Sequence, residues 1–234
     1  MSVPHRRHRS FKSPSATEVI VAETVAHNEG MRAAGLILAA GRSSRMGRPK
    51  ALLELDERSF LERLLYAMAE AGLADVVVVT GEHDLLIRAH LSAGVRPPGC
   101  TVRVVTNPTP ERGQLSSLLV ALEVVETLPD RVDAIVVTPV DHPRVGTGTI
   151  RALLDAASTS GAPVTRPVRA GRHGHPVVFG REAFEMLRAA PLGQGARAVV
   201  RGLGPRVCEV EIGDPGIDDD IDTPEDYRRL QSGA

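Results

Sequence analysis

With 234 residues, 42% of them hydrophobic and 24% charged, the chain has the make-up of one globular domain with little decoration. A net charge of −1 argues against a general nucleic-acid binder, and no apolar run approaches the roughly 18 residues that cross a bilayer. Aromatic residues are scarce, so the core must be aliphatic; Cys100 and Cys208 form neither a disulfide framework nor a zinc spacing, which fits a reducing cytoplasm.

Residues 1–33 read as a disordered tail: basic at the start, polar, and without the apolar stretch of a secretory signal. The domain proper runs over 34–231. Strands are expected at 35–40, 76–81, 102–107 and 133–141, each a β-branched run that stops at a turn or polar residue. Their lack of polar alternation marks strands buried on both faces, hence a mostly parallel sheet. Helical patterns fall between them. Residues 59–73 open with Ser59 and Glu62 at capping-box spacing and close with Gly72. Further helices are expected over 84–94, 114–127, 147–160, 181–190 and 195–203, with strands near 162–168, 174–180 and 207–212. The last helix, 223–231, starts with Thr223 as cap and Pro224 at its first position. Strand and crossover in repetition predict a single-domain, doubly wound α/β sheet, whose ligands bind beyond the carboxyl ends of the strands. That rule singles out the loop 41–50, Gly81, 107–117 and 141–143.

The loop 41–50 is cationic. Only two lysines occur in the chain, Lys12 and Lys50, against a background of arginine. Lys50 therefore marks a place for a compact ammonium rather than a planar guanidinium. Gly41 and Gly47 do not satisfy a dinucleotide fingerprint, and Arg48–Pro49 between Gly47 and Lys50 breaks a Walker A. A longer loop that wraps a triphosphate remains: Gly41 permits close backbone approach, Ser43 and Ser44 can donate, and Arg42, Arg45, Arg48 and Lys50 supply charge. Asp141, at the mouth of a buried strand, suits Mg²⁺, which takes one or two carboxylates plus phosphate oxygens; it also suits a turn or helix cap. The run Asp218–Asp220 with Asp222 is a second acidic cluster, in which carboxylates repel unless a cation sits among them. His173 and His175 have zinc-like spacing but no further partner placed nearby.

The segment LAAGRSSRMGRPKALL (38–53) resembles the signature loop of the molybdenum cofactor nucleotidyltransferase family, most closely its cytidylyltransferase branch, matching at Leu38, Ala39, Gly41, Ser44, Arg45, Met46, Gly47 and Lys50. The likeness continues in order through Asn107, Pro108, Gly113, Ser117 and Leu118, the Asp141–Pro143 turn, Gly174–Pro176, and DIDTPED at 220–226. It implies a Rossmann-like fold of the nucleotide-diphospho-sugar transferase kind and a Mg²⁺-dependent transfer of CMP from CTP to a molybdopterin-type acceptor, releasing pyrophosphate. It further implies roles. Arg45 would serve the β- and γ-phosphates, Lys50 the α-phosphate, and Asp141 with Asp222, or its neighbour Asp220, the metal. Leu38, Ala39, Ala40, Gly41, Ser44, Gly81, Asn107, Gly113, Gln114, Ser116 and Ser117 would meet the nucleotide, and Gly174, His175 and Pro176 the acceptor. Ala40 stands where the guanylyl branch tends to carry a second Gly. Arg144 departs from the family's apolar residue after the turn. Two alternatives stay open: guanylyl or other nucleotidyl transfer to a different phosphate, and a non-catalytic accessory that carries nucleotide or cofactor to a molybdoenzyme.

Overall fold

The computed structural model describes residues 18–20, 30–93 and 96–232. Eleven strands appear among them: β1 (Glu18–Ile20), β2 (Ala33–Leu38), β3 (Glu54–Leu55), β4 (Arg58–Ser59), β5 (Asp75–Thr80), β6 (Thr101–Thr106), β7 (Ala134–Pro139), β8 (Val164–Arg169), β9 (Arg172–His173), β10 (Val177–Gly180) and β11 (Val207–Glu211). The helices are α1 (Phe60–Glu70), α2 (Asp84–Ser92), α3 (Gln114–Glu126), α4 (Thr147–Ser160), α5 (Glu182–Ala189), α6 (Ala196–Leu203) and α7 (Pro224–Ser232). Residues 18–20, read from the sequence as tail, form the edge strand β1, antiparallel to β6. The rest of that proposed tail up to residue 29 lies outside the described residues.

The main sheet runs β1-β6-β5-β2-β7-β10-β8-β11, with β9 against β8. Strands β6, β5, β2 and β7 are parallel, β10 is antiparallel to both neighbours, and β11 is parallel to β8. The chain builds outward from β2 through β5 to β6, then returns to place β7 on the other side of β2. The order reverses between β2 and β7, so the crevice at their carboxyl ends is the topological switch point.

The valine-rich runs are buried on both faces because alternate residues feed two cores. Ile37, Val76, Val78, Val104 and Val136 pack with Phe60, Leu64, Ile87, Ile150 and Tyr227 of α1, α2, α4 and α7. Leu36, Val77, Val79, Ile135 and Val137 pack with Leu115, Leu118, Phe184 and Val199 of α3, α5 and α6. The capping box at α1 forms as its spacing requires: Ser59 Oγ accepts from Glu62 N at 3.1 Å, and Glu62 Oε2 accepts from Ser59 N at 2.5 Å. Gly72, at φ +97°, ends that helix in a conformation a side chain would resist.

Candidate active site

Backbone hydrogen bonds extend the sheet past the strand ends and bring the crevice together. Ala39 N donates to Val79 O at 2.8 Å, and Val140 N to Leu38 O at 3.1 Å. Beyond Leu38 the chain enters the loop 41–49, and Lys50–Leu52 form a single 3-10 turn. Ser43, at φ +50°, anchors this loop: its Oγ accepts from Lys50 N at 3.0 Å, and its carbonyl accepts from Met46 N at 2.9 Å. The Arg48 guanidinium lies 5.3 Å from the centre of the Tyr227 ring, which ties the loop to α7.

Lys50 points into the crevice. Its Nζ donates to Asp141 Oδ2 at 3.1 Å and to Asp222 Oδ1. One ammonium thus touches carboxylates from two distant turns. The lysine side chain is 13% exposed, Asp141 25% and Asp222 46%. Burial works against the lysine's charge, but the Asp141 charge and the hydrogen bonds to Asp222 and Asp141 outweigh it and lift its pKa above the usual value. Arg45 stands outside, 73% exposed, with Nη1 3.9 Å from Asp222 Oδ2.

A close-packed turn delivers Asp222. Ile221 N donates to Asp141 O at 2.9 Å, and the Ile221 side chain is buried in the core. Asp226 holds the start of α7 by accepting from Thr223 N at 2.8 Å, Thr223 Oγ1 at 2.7 Å and Asp222 N at 3.2 Å. Those bonds, the Thr223 hydroxyl foremost, pull its pKa down to about 2. Upstream, the turn lies against two glycines. A Cβ on Gly174 would sit 2.0 Å from Ile217 O, and one on Gly216 would sit 2.5 Å from the Arg144 carbonyl. His175 N donates to Ile217 O at 2.8 Å.

The residues singled out from the sequence therefore divide. Leu38, Ala39, Gly41, Lys50 and Asp141 line one cleft, together with Ser43, Pro49, Ala51, His83, Ile87 and Val140. Ala40 is buried, and its carbonyl would lie 2.6 Å from a Cβ on Gly81, so Gly81 permits a close crossing of two backbones. Ser44 is exposed; the serine that lines the cleft and bonds Lys50 is Ser43, the second residue after Gly41. Asn107 is buried and donates to Ser116 Oγ at 2.8 Å and Ser117 Oγ at 2.9 Å, so these three polar groups satisfy one another. Of the residues singled out in this segment, that leaves Gly113, at φ +94°, and Gln114 exposed. Asp220 is exposed and, among the described residues, makes no hydrogen bond or ion pair, whereas Asp222 reaches the site. Gly174 makes room for the acidic turn, and Pro176 is buried behind a cis peptide bond with His175.

Sequence reasoning missed Ser43 as an anchor, and also His83 and His142. His83 Nε2 lies 3.2 Å from Arg42 O. His142, signalled only by its place beside Asp141, is buried, and its ring centre is 4.9 Å from that of His175. Burial, reinforced by His142, pushes the His175 pKa down to about 4. Among the described residues no group of three or more His, Cys, Asp or Glu side chains is arranged to hold a metal, and this includes the His173–His175 pair. The two converging carboxylates are a smaller, hard-oxygen donor set, which suits a cation that keeps water or phosphate oxygens as its other ligands. No helix among the described residues is long and apolar enough to cross a membrane.

Residues 35–207 match the family described as MobA-like NTP transferase domain. The chain belongs to that family. Its MobA-like NTP transferase domain has the sheet order and loop placement described above. Nicotine blue oxidoreductase of Paenarthrobacter nicotinovorans is 30% identical over 204 residues, 84% of this chain and 95% of its own. The bifunctional IPC transferase and DIPP synthase of Rubrobacter xylanophilus is 32% identical over 242 residues, covering 88% of this chain and 52% of the relative; the chain thus spans about half of that protein's length. A probable molybdenum cofactor guanylyltransferase of Bacillus cereus is 31% identical over 130 residues, 54% of this chain and 58% of its own. Among solved structures, Rv0371c of Mycobacterium tuberculosis superposes with a TM-score of 0.72 at 28% identity, over 87% of this chain and 99% of that one. The same protein has also been crystallised as a manganese complex.

Proposed function

We propose that this MobA-like enzyme transfers CMP from CTP to the phosphate of a molybdopterin-type acceptor, with a divalent cation, Mg²⁺ or Mn²⁺, at Asp141 and Asp222. The observation that carries the reading is the convergence of Lys50, Asp141 and Asp222 on one point at the switch point of the sheet. The manganese complex of the similar Rv0371c supports a divalent cation, and the guanylyltransferase relative supports a molybdopterin-type acceptor.

Nucleotidyl transfer develops negative charge on the α-phosphoryl oxygens and on the departing pyrophosphate, so positioning and electrostatics carry the catalysis. The loop backbone around Gly41 and Ser43 would cradle the triphosphate, and Arg45, exposed at the rim, would hold its β- and γ-phosphates. Lys50 would follow the α-phosphoryl oxygens as charge builds there. Its four-carbon stem allows this, while Ser43 fixes its backbone. Asp141 and Asp222 would hold the cation, which when bound supplies charge neutralisation at the phosphates. Ala39, Ala40, Gly81 and the Gly113–Gln114 backbone would face the base. Ala40, in place of the second Gly that the guanylyl branch tends to carry, supports the cytidylyl reading; its own methyl packs into the core. His142, whose Nε2 lies 3.9 Å from Asp141 Oδ1, and His175 beside it would face the acceptor.

The test is pyrophosphate release with each of the four nucleoside triphosphates, with and without molybdopterin, in Mg²⁺ and in Mn²⁺. Release with CTP that depends on molybdopterin is the expected result. Release with GTP alone moves the enzyme to guanylyl transfer, and release without molybdopterin points to another acceptor. No release under any condition leaves an accessory carrier. Reduction of nicotine blue in place of pyrophosphate release would replace the reading with the chemistry named for the Paenarthrobacter relative.

A further inference from the structure

We propose that Lys50 is the resident counter-ion of the Asp141–Asp222 pair, that it and a divalent cation exclude one another there, and that the triphosphate takes over the displaced ammonium. This deepens the reading above and rests on Asp141 and Asp222 being the metal's carboxylates. Three observations carry it. First, one ammonium contacts both carboxylates at hydrogen-bond range, and of the three side chains it is the least exposed. It fills the space between them. Second, the backbone that carries each carboxylate is fixed. Asp141 O is held by Ile221 N at 2.9 Å, and Asp222 N is held by Asp226 at 3.2 Å. Third, the lysine backbone is pinned by Ser43 and by the Leu53 N–H on its own carbonyl at 3.0 Å, so only the side chain is free to move.

Oxygens that ligate Mg²⁺ sit at about 2.1 Å, whereas an ammonium donates at about 3 Å; the same oxygens cannot hold both cations in the same gap. Two cations that close also repel strongly in a half-buried site. A metal ion arriving alone must therefore expel Lys50 into water. A metal arriving with a nucleotide offers the lysine a phosphate oxygen instead. Metal and nucleotide affinity are thereby coupled, and the coupling is reciprocal. With no nucleotide present, the lysine stops the two carboxylates from repelling one another and keeps the site assembled.

The experiment is Mn²⁺ binding to the full chain, read from the electron paramagnetic resonance signal of the free aqua ion, for wild type, Lys50→Met and Lys50→Gln, with and without CTP. Without CTP, both variants should bind Mn²⁺ about tenfold or more tighter than wild type, because the competing charge is gone. Addition of CTP, after subtraction of the Mn²⁺ that CTP binds by itself, should tighten Mn²⁺ binding strongly in wild type and much less in the variants. Equal or weaker Mn²⁺ binding by both variants without CTP, with native circular dichroism, overturns the proposal. An Asp141→Asn chain separates the two layers of the argument. If Asp141→Asn loses Mn²⁺ while the lysine variants gain nothing, displacement alone is wrong. If Asp141→Asn binds Mn²⁺ like wild type, the carboxylate site itself is wrong and the displacement proposal goes with it.

Discussion

Gly174→Ala tests whether this glycine acts by letting the acidic turn pass or by lining the acceptor pocket. The new Cβ would lie 2.0 Å from Ile217 O and 2.5 Å from Ile217 C. A carbon and a carbonyl oxygen settle no closer than about 3.3 Å, so the two backbones must part by roughly 1.3 Å. Backbone on both sides gives no flexible side chain to absorb the shift. The parting would break the 2.8 Å bond from His175 N to Ile217 O. Overpacking costs about 1–3 kcal/mol and the lost bond about 1 kcal/mol, together about 2–4 kcal/mol. In a domain of this size that lowers Tm by about 5–15 °C. The displaced turn carries Ile221 and Asp222 with it, so nucleotidyl transfer should also fall by about 10²-fold, through kcat. Thermal melting by circular dichroism and steady-state pyrophosphate release measure both. A variant that melts within about 1 °C of wild type and shows only a raised acceptor KM would refute the reasoning and return Gly174 to the acceptor pocket.

Ser43→Ala should lower kcat by about tenfold while changing stability by no more than about 1 kcal/mol, because it removes one anchor of Lys50; Ser44→Ala, at an exposed position, should leave both unchanged in the same kinetic and melting assays. His175 is half-buried, and desolvation lowers its pKa to about 4, from 6.5 when unfolded. Its contribution is therefore complete above pH 6.5 and is lost as pH falls from 6.5 towards 4, by an amount of order 3 kcal/mol. Urea denaturation of His175→Phe should show a flatter pH dependence in that window. Asp226 has the opposite chemistry, with its acid depressed from 3.8 to about 2. Its stabilisation is present above pH 3.8 and disappears as pH falls through about 2, so Asp226→Asn should be less stable than wild type at pH 7 and match it near pH 2 in the same denaturation assay.

Much of the architecture could be read from the chain because it is local. Unbroken runs such as Val76–Val79 can only be strands packed on both faces, and Ser59 with Glu62 writes a helix start into four consecutive residues. The site was partly legible for a similar reason. Topology sends every parallel strand's carboxyl end to one side, so the loop 41–50 and Asp141 had to share a crevice. Finer roles were not legible. Ser43 and Ser44 are adjacent and chemically identical, and only the positive φ at Ser43 turns its hydroxyl under Lys50 N. Asn107, Ser116 and Ser117 look like ligand groups in sequence, yet their separations of nine and ten residues hide the contacts that bind them to one another.

The sequence by itself determined the doubly wound sheet, the cationic loop after its first long strand and the carboxylate at the mouth of β7, because hydrophobic periodicity and turn chemistry act over a few residues. Only the tertiary structure decided that Asp222 rather than Asp220 enters the site and that Gly174 serves the turn beside it. Both outcomes depend on which backbones touch, through Ile221 N on Asp141 O and Ile217 O against Gly174, and contacts between segments tens of residues apart leave no periodic trace in the chain.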